Sequence, residues 1–361
     1  MYQSSFLFQI PHSWYANAAD MGLWECKNRH TFASSEGHSN CIIFKKVRIM
    51  KKVKGLFLIL VVAALTACNS NDDGVQAGIE IPGITITDDI DCCSAEEALQ
   101  VYKFLQTVKI VPELSTEIDG KYNVFAYTQT GGFHNGYNEI FFVATKKATG
   151  NYIKNFEISG LTPLMHMVKM DMYHSTPVGP DAASFNDNYL AVKRTWVSFV
   201  MNTSDAGSWT LSYNALVLGG KGDIEKKDIV VNALPDGQTW LKSFKVDDAT
   251  YYLSLVNPLD YQTGTNDIVA YVSKKSEKAT NPYQIASETF TIDIDPRMPD
   301  MGNHTSPNNT PLVKQADGSY KGTINLTMTG LWRIHLTVKD AEGNIVAGGE
   351  ELSSLYWDVT I

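Results

Sequence analysis

The chain has 361 residues, a formal net charge of −9 at neutral pH and only five cysteines. An acidic chain without a basic stripe is unsuited to nucleic acid, so no nucleic-acid partner is predicted. So few cysteines over this length also exclude a small scaffold held together by disulfides. The hydrophobic content of 44% is ordinary for a globular protein and suits more than one domain.

A signal peptide is predicted over residues 50–67. Met50 is followed by three lysines within four residues, and an apolar run then extends from Leu56 to Ala64. This run is short for a membrane span and has the length of the hydrophobic region of a signal peptide. The four residues that end at Cys68 match the lipobox of bacterial lipoproteins. Cys68 is therefore expected to carry lipid and to be the first residue of the mature protein.

This signal peptide also sets the expected place of the protein in the cell. Residues 1–49 precede it without hydrophobic periodicity, so we interpret them as an over-extended start. Residues 68–93 begin with a polar run and are predicted to be a tether. The mature chain is then expected at the cell envelope, anchored in the lipid of a bacterial membrane through Cys68. The roles of the adjacent Cys92 and Cys93 stay open between a vicinal disulfide, soft-metal ligands and structural thiols.

A short helix is predicted within the lead-in segment 94–119. Ser94 and Glu97 have the spacing of a capping box, in which each side chain binds a backbone N–H of the other residue. The apolar residues that follow recur on one helical face; they are Ala98, Val101, Tyr102 and Leu105. The helix is expected to pack on the first β module.

The rest of the chain has the pattern of an all-β protein. Short runs rich in β-branched and aromatic residues alternate between apolar and polar positions, and Gly, Asn, Asp and Pro separate them. This spacing predicts two tandem immunoglobulin-like β-sandwich modules over residues 120–222 and 246–361. Residues 223–245 are predicted to close the first module and to link it to the second.

The two modules repeat the same features in the same order, which indicates a tandem duplication. The equivalent residues are Asn138 and Asn266, His174 and His304, and Trp209 and Trp332, which lie 128, 130 and 123 positions apart. A nearly constant spacing with small differences is what loops of slightly different length would produce.

Each module also contains a loop rich in methionine and histidine. The first loop holds Met165, Met167, Met170, Met172 and His174, and the second holds Met298, Met301 and His304. Along an extended chain Met170, Met172 and His174 would project to one side. Thioether sulfur and imidazole nitrogen form a soft donor set suited to Cu(I). The sequence therefore predicts one Cu(I) site in each loop, with Met165 or Met167 as an extra donor in the first.

The second loop and the strands after it resemble the YtkA-like domain family, which is related to FixH-type proteins. The residues that carry the resemblance are Met298, Met301 and His304, then Gly318-Ser-Tyr320, then Met328-Thr-Gly330-Leu-Trp332. The resemblance is good over residues 290–338 and weaker over the first module. It implies a small immunoglobulin-like sandwich of an exported bacterial protein, loosely linked with copper and cytochrome oxidase assembly.

Two classes of function remain open. The first is a membrane-anchored Cu(I)-binding protein for buffering, sensing or delivery. The second is a non-catalytic interaction or spacer module that binds a protein or glycan at the cell envelope, with the methionines as packing residues. The sequence has no Gly-x-Ser-x-Gly, His-Glu-x-x-His or phosphate-loop motif, so an enzyme is not predicted.

Overall fold

The computed structural model describes residues 80–85, 94–235, 238–350 and 353–361. The predicted signal peptide, Cys68, Cys92 and Cys93 lie outside the described residues. Two parts of the described chain, residues 94–235 and residues 238–361 without 351–352, are called the first half and the second half below. The all-β prediction is confirmed, since nearly all regular structure in both halves is β-strand.

The predicted helix, α1 (Ala95–Leu105), is confirmed together with its capping box. The Glu97 backbone N–H donates to Ser94 Oγ at 3.3 Å, and the Ser94 N–H donates to the Glu97 carboxylate at 3.0 Å. Ala98 and Val101 are buried in a cluster that also contains Phe141. The helix therefore packs on a strand of the first half through its apolar face, as its sequence periodicity requires.

The strands of the first half are short at the edges of the sheets and long in the middle. They are β1 (Lys109–Ile110), β2 (Thr116–Ile118), β3 (Tyr122–Thr128), β4 (Phe133–His134), β5 (Gly136–Lys146), β6 (Tyr152–Ile153), β7 (Phe156–Met167), β8 (Met172–His174), β9 (Ala183–Ser184), β10 (Val192–Phe199), β11 (Gly207–Val217), β12 (Gly220–Ile229) and β13 (Val231–Asn232). A single 3₁₀ turn, Pro112–Leu114, is found among these described strands.

Two antiparallel sheets enclose the core of the first half. One sheet has the order β1-β3-β5-β10-β9, and the other has the order β12-β11-β7-β8. Alternate side chains of both sheets meet in one buried cluster, as in a β-sandwich. This cluster extends from Val111 to Val231. The core therefore reaches beyond the predicted bounds 120–222 on both sides. On the N-terminal side it includes Val111, and on the C-terminal side strand β12 continues past residue 222.

The strands of the second half belong to one continuous sheet. They are β14 (Leu241–Val246), β15 (Ala249–Leu255), β16 (Gly264–Lys274), β17 (Thr291–Met298), β18 (His304–Thr305), β19 (Thr310–Lys314), β20 (Ser319–Leu326), β21 (Leu331–Lys339), β22 (Ile345–Gly348) and β23 (Tyr356–Thr360), with 3₁₀ turns at Pro258–Asp260 and Pro299–Met301. The order is β14-β15-β16-β20-β19-β17-β21-β22. Strand β19 connects the two parts of this sheet, because it pairs with β20 on one side and with β17 on the other. The sheet encloses a single core that includes Trp332 and Trp357.

Equivalent strands of the two halves match in length and in local hydrogen bonding. Strands β3 and β15 have 7 residues each, β5 and β16 have 11 each, and β10 and β20 have 8 each. The Asn138 amide donates to the carbonyls of His134 and Gly136 and accepts from the His134 N–H. Asn266 makes the same three bonds at the same separations, to Gln262 and Gly264. These matches are what a duplicated module would produce.

The two halves are in direct contact within one compact unit. Tyr137 and Trp196 of the first half pack against Tyr271 of the second, with Trp196 and Tyr271 stacked at 4.6 Å. The Ser175 N–H donates to the Ala279 carbonyl at 2.7 Å. Aromatic packing and backbone hydrogen bonds therefore both hold the halves together.

Candidate metal centre

The first methionine- and histidine-rich loop is a β-hairpin formed by β7 and β8. Met165 lies directly opposite His174 in the register, and Met167 lies directly opposite Met172. Side chains alternate between the two faces of a strand, and directly opposed residues share a face. The hairpin therefore brings Met165, Met167, Met172 and His174 to one face, whereas His166 points to the other.

The opposite face of the hairpin holds a separate aromatic pair. The rings of His166 and Tyr173 stack with their centroids 4.4 Å apart. His166 Nε2 lies 3.0 Å from the Asp171 carboxylate, which forms part of the turn. His166 is thus held away from the methionine face by contacts of its own.

The four donors on the methionine face differ in their access to solvent. Met165 is fully buried in the first core, Met167 is half-buried, and the Met172 side chain is 57% exposed. His174 is half-buried, and its ring meets Trp209 edge to face at 5.5 Å. Met167, Met172 and His174 are therefore the donor residues of this face that are not fully buried.

The His174 ring is fixed by a backbone carbonyl. Its Nδ1 lies 3.1 Å from the carbonyl oxygen of Ser175. A carbonyl can only accept a hydrogen bond, so in the neutral ring Nδ1 carries the proton and Nε2 keeps the lone pair. A backbone carbonyl on the second ring nitrogen is the usual way in which proteins orient a histidine for metal binding.

Met170 is the predicted donor that the structure places elsewhere. It lies in the turn between β7 and β8, and its N–H donates to the Met167 carbonyl at 3.2 Å. The chain reverses there, with Asp171 in the left-handed region at φ +46°. Met170 is 56% exposed and does not lie on the strand that carries Met172 and His174.

The second loop has the same framework with fewer accessible donors. Met298 at the end of β17 lies opposite His304 of β18, as Met165 lies opposite His174. Met298 is buried in the second core, and His304 is exposed with its Nε2 3.5 Å from Thr327 Oγ1. Met301 is 57% exposed in the 3₁₀ turn that connects the strands. Of the three predicted donor residues of this loop, Met301 and His304 are exposed and Met298 is buried.

Both buried methionines lie beneath a glycine. A Cβ added at Gly207 would lie 2.5 Å from the terminal methyl of Met165, and one added at Gly330 would lie 2.8 Å from that of Met298. The methionine methyls therefore fill the space that a side chain would need. Met165 and Met298 are core residues in this structure.

A buried tryptophan follows each of these glycines. The Trp209 indole N–H donates to the Met201 carbonyl at 2.9 Å, and the Trp332 indole N–H donates to the Met328 carbonyl at 2.9 Å. The order Met, Gly, Trp, which occurs in both halves at different spacings (Met201, Gly207 and Trp209; Met328, Gly330 and Trp332), thus accompanies one indole contact that occurs in both halves. Its role in each half is structural.

Other candidate sites are few in the described part of the chain. No group of three or more His, Cys, Asp or Glu side chains is arranged to hold a metal ion among the described residues. Within the same ranges, no helix combines the length and apolar character that a membrane crossing requires.

His335 is a further candidate residue that no sequence motif marks. This residue lies in a polar cleft on the outside of the second half, beside Asp295 and Arg297. Arg333, His335 and Thr337 lie on one face of β21, and this can be predicted from the alternation of polar and apolar residues in the sequence. The pairing of β21 with β17, which brings Asp295 next to His335, is not visible in the sequence.

Comparison with known proteins gives no family for this chain. No family model matches it, and no curated protein matches it. Among solved structures, the Yersinia pseudotuberculosis adhesin InvE is similar with a TM-score of 0.17 and 10% identity, over 64% of this chain and 55% of that one. Latent dimeric PorU from Porphyromonas gingivalis is similar with a TM-score of 0.22 and 15% identity, over 71% of this chain and 24% of that one. This chain thus spans about half and a quarter of those two chains, and TM-scores this low say nothing about its function.

Proposed function

We propose that this chain is an exported lipoprotein of the cell envelope that binds Cu(I) at the β7–β8 hairpin. The observation that carries the proposal is the register of this hairpin, which gives Met167, Met172 and His174 a common face. Its two halves are proposed to be tandem immunoglobulin-like modules of the YtkA-like, FixH-related kind. Bound copper would serve buffering, sensing or delivery to a protein partner in the envelope.

The donor chemistry favours Cu(I) over the commoner divalent ions. Two thioethers and one imidazole are soft, neutral ligands, whereas Mg²⁺ and Ca²⁺ require oxygen. The His174 ring already directs its proton toward Ser175, so Nε2 is free to bind the ion. Acid should release the metal, because a protonated imidazole has no lone pair to give.

The second loop is proposed to bind Cu(I) more weakly than the first. Met301 and His304 are its accessible donors, and a third ligand requires the buried sulfur of Met298. Reaching that sulfur would disturb packing beside Trp332, which costs free energy. The two loops are therefore expected to differ in affinity although they share a framework.

The anchor of the proposed lipoprotein is Cys68. The support for it is the order of lysine-rich start, apolar run and lipobox in residues 50–68. A cysteine in this position receives lipid after export, so the partner of the N-terminus is membrane lipid.

Anaerobic titration with Cu(I) against a competing chelator tests the proposal. Two sites of unequal affinity are expected, and Met172→Leu or His174→Ala should weaken the tighter one by at least tenfold. Loss of a partner outside the ligand shell typically lowers metal affinity by about 10–100-fold, and a direct ligand should matter no less. His166→Ala is the matched control, because His166 lies on the opposite face of the same hairpin. Equal copper binding by all four proteins, or none by any, would refute the copper site.

One observation favours a spacer or interaction role as the second candidate. Met165 and Met298 are core residues, and the two halves pack directly on each other through Trp196 and Tyr271. A compact pair of sandwiches on a lipid anchor is suited to holding a binding surface away from the membrane. This function would stand alone if the copper titration fails.

A further inference from the structure

A polar cleft of about 270 Å³ lies on the outer face of the second half, on the side of strand β17 opposite to the buried Met298. Strands β17 and β21 form its floor, and Gly349, Glu350 and Ser353 form its wall. The polar residues that line it are Asp295, Arg297, His335, Thr337, Glu350 and Ser353.

The floor of the cleft is set by strand pairing. Asp295 lies directly opposite His335, and Arg297 lies directly opposite Arg333. The residues between them in sequence, Pro296 and Ile334, are buried. Alternation therefore directs the polar side chains outward while the opposite face of the same strands builds the core.

Internal hydrogen bonds orient three of the polar residues of the cleft, Asp295, Arg297 and Ser353. Arg297 Nε and Nη2 both contact Asp295 Oδ2, at 2.8 and 2.7 Å, which holds the guanidinium against this one carboxylate oxygen. Asp295 Oδ1 and both ring nitrogens of His335 have no hydrogen-bond partner within the described ranges. Ser353 Oγ accepts from the Leu355 N–H at 3.1 Å, so its own hydroxyl proton is free to donate.

The charges of the cleft nearly balance. Asp295 and Glu350 are opposed by Arg297, with Arg333 nearby and already bound by both oxygens of Asp358. Burial, followed by the nearby Arg297, lowers the pKa of His335, so its ring is neutral near pH 7 and both donates and accepts. An anionic ligand would meet the carboxylates of Asp295 and Glu350, whereas an uncharged ligand that donates and accepts at many points would meet no such repulsion.

We propose that this cleft binds a neutral saccharide. Each sugar hydroxyl both donates and accepts a hydrogen bond, which matches the mixed donors and acceptors that line the cleft. The volume lies just below the roughly 300–1,000 Å³ of ordinary small-molecule sites, so a ligand of about one or two sugar rings fits. The site uses none of the proposed copper ligands, so it can be tested separately from the copper proposal.

Saturation-transfer difference NMR on the full chain tests this site. The protein is kept in a polyoxyethylene detergent, since glycoside detergents would compete. The probes are maltose, cellobiose and N,N′-diacetylchitobiose, with glutamate and inorganic phosphate as charged comparisons. At least one disaccharide should receive saturation, and the charged probes should not displace it.

Variants then locate the binding. Asp295→Ala and Ser353→Ala should each weaken the best disaccharide by about tenfold, because each removes a preset hydrogen bond. Asp293→Ala is the matched control, since Asp293 pairs with Lys339 at 2.5 Å on the same strands but does not line the cleft. Three outcomes would each overturn the saccharide site: no saturation of any disaccharide, displacement by phosphate or glutamate, or equal binding by the cleft variants and wild type.

Discussion

Replacing Trp209 or Trp332 by alanine is expected to lower the free energy of unfolding by about 3–5 kcal/mol, the usual cost of removing a large buried aromatic side chain. Both side chains are fully buried, each in the core of its own half. Each change also leaves a backbone carbonyl without its indole donor, at Met201 or Met328. Similar losses in both halves are expected, because the two tryptophans make the same contact. Denaturant unfolding followed by circular dichroism measures them.

Surface variants supply the controls for these two changes. Val230 is 64% exposed and Ile345 is 60% exposed, so Val230→Ala and Ile345→Ala should each change stability by no more than about 0.5 kcal/mol. A loss below about 1 kcal/mol for either tryptophan would contradict its place in the core. A large loss for one tryptophan alone would contradict the equivalence of the two halves.

Replacing Cys68 by alanine is expected to move nearly all of the protein from the membrane fraction to the soluble fraction. A pair of acyl chains anchors a protein stably, and a Cys68→Ala chain released from its signal peptide has only its proposed tether, which lacks apolar residues at its start. Mass spectrometry of the wild-type membrane fraction should find no peptide from residues 1–67. Cys92→Ala is the matched control and should stay with the membrane.

Two results would contradict the anchor. One is a Cys68→Ala protein that is processed normally and remains fully membrane-bound. The other is a wild-type protein in the membrane fraction that retains peptides from residues 1–67. Either would remove the lipidation step on which the proposed location depends.

The features that the sequence predicted well are those set by local patterns. The capping box of Ser94 and Glu97 defines the start of α1 because both bonds lie within one turn of helix. Alternation in residues such as those of β21 shows at once which side chains face the core. The repeated Asn138 and Asn266 were recognisable because each makes its bonds within four residues of itself.

The features that the sequence did not predict depend on where the chain turns and which strands pair. Five residues beyond Met165 the hairpin has already turned, so Met170 lies in the turn and the donor face is shared by two strands. Methionine occurs both in loops and in cores, so the sequence alone does not say which role Met165 and Met298 have. Their packing beneath Gly207 and Gly330 makes them core residues. The cleft at His335 arises from two strands that are far apart in the sequence.

The copper K-edge X-ray absorption spectrum of the protein loaded with one equivalent of Cu(I) tests the central proposal most directly. Two sulfur ligands and one nitrogen ligand are expected, from Met167, Met172 and His174. The nitrogen contribution should disappear in His174→Ala and persist in His166→Ala. A wild-type spectrum with only nitrogen or oxygen ligands, or copper that separates from the protein on gel filtration, would contradict the Cu(I) site.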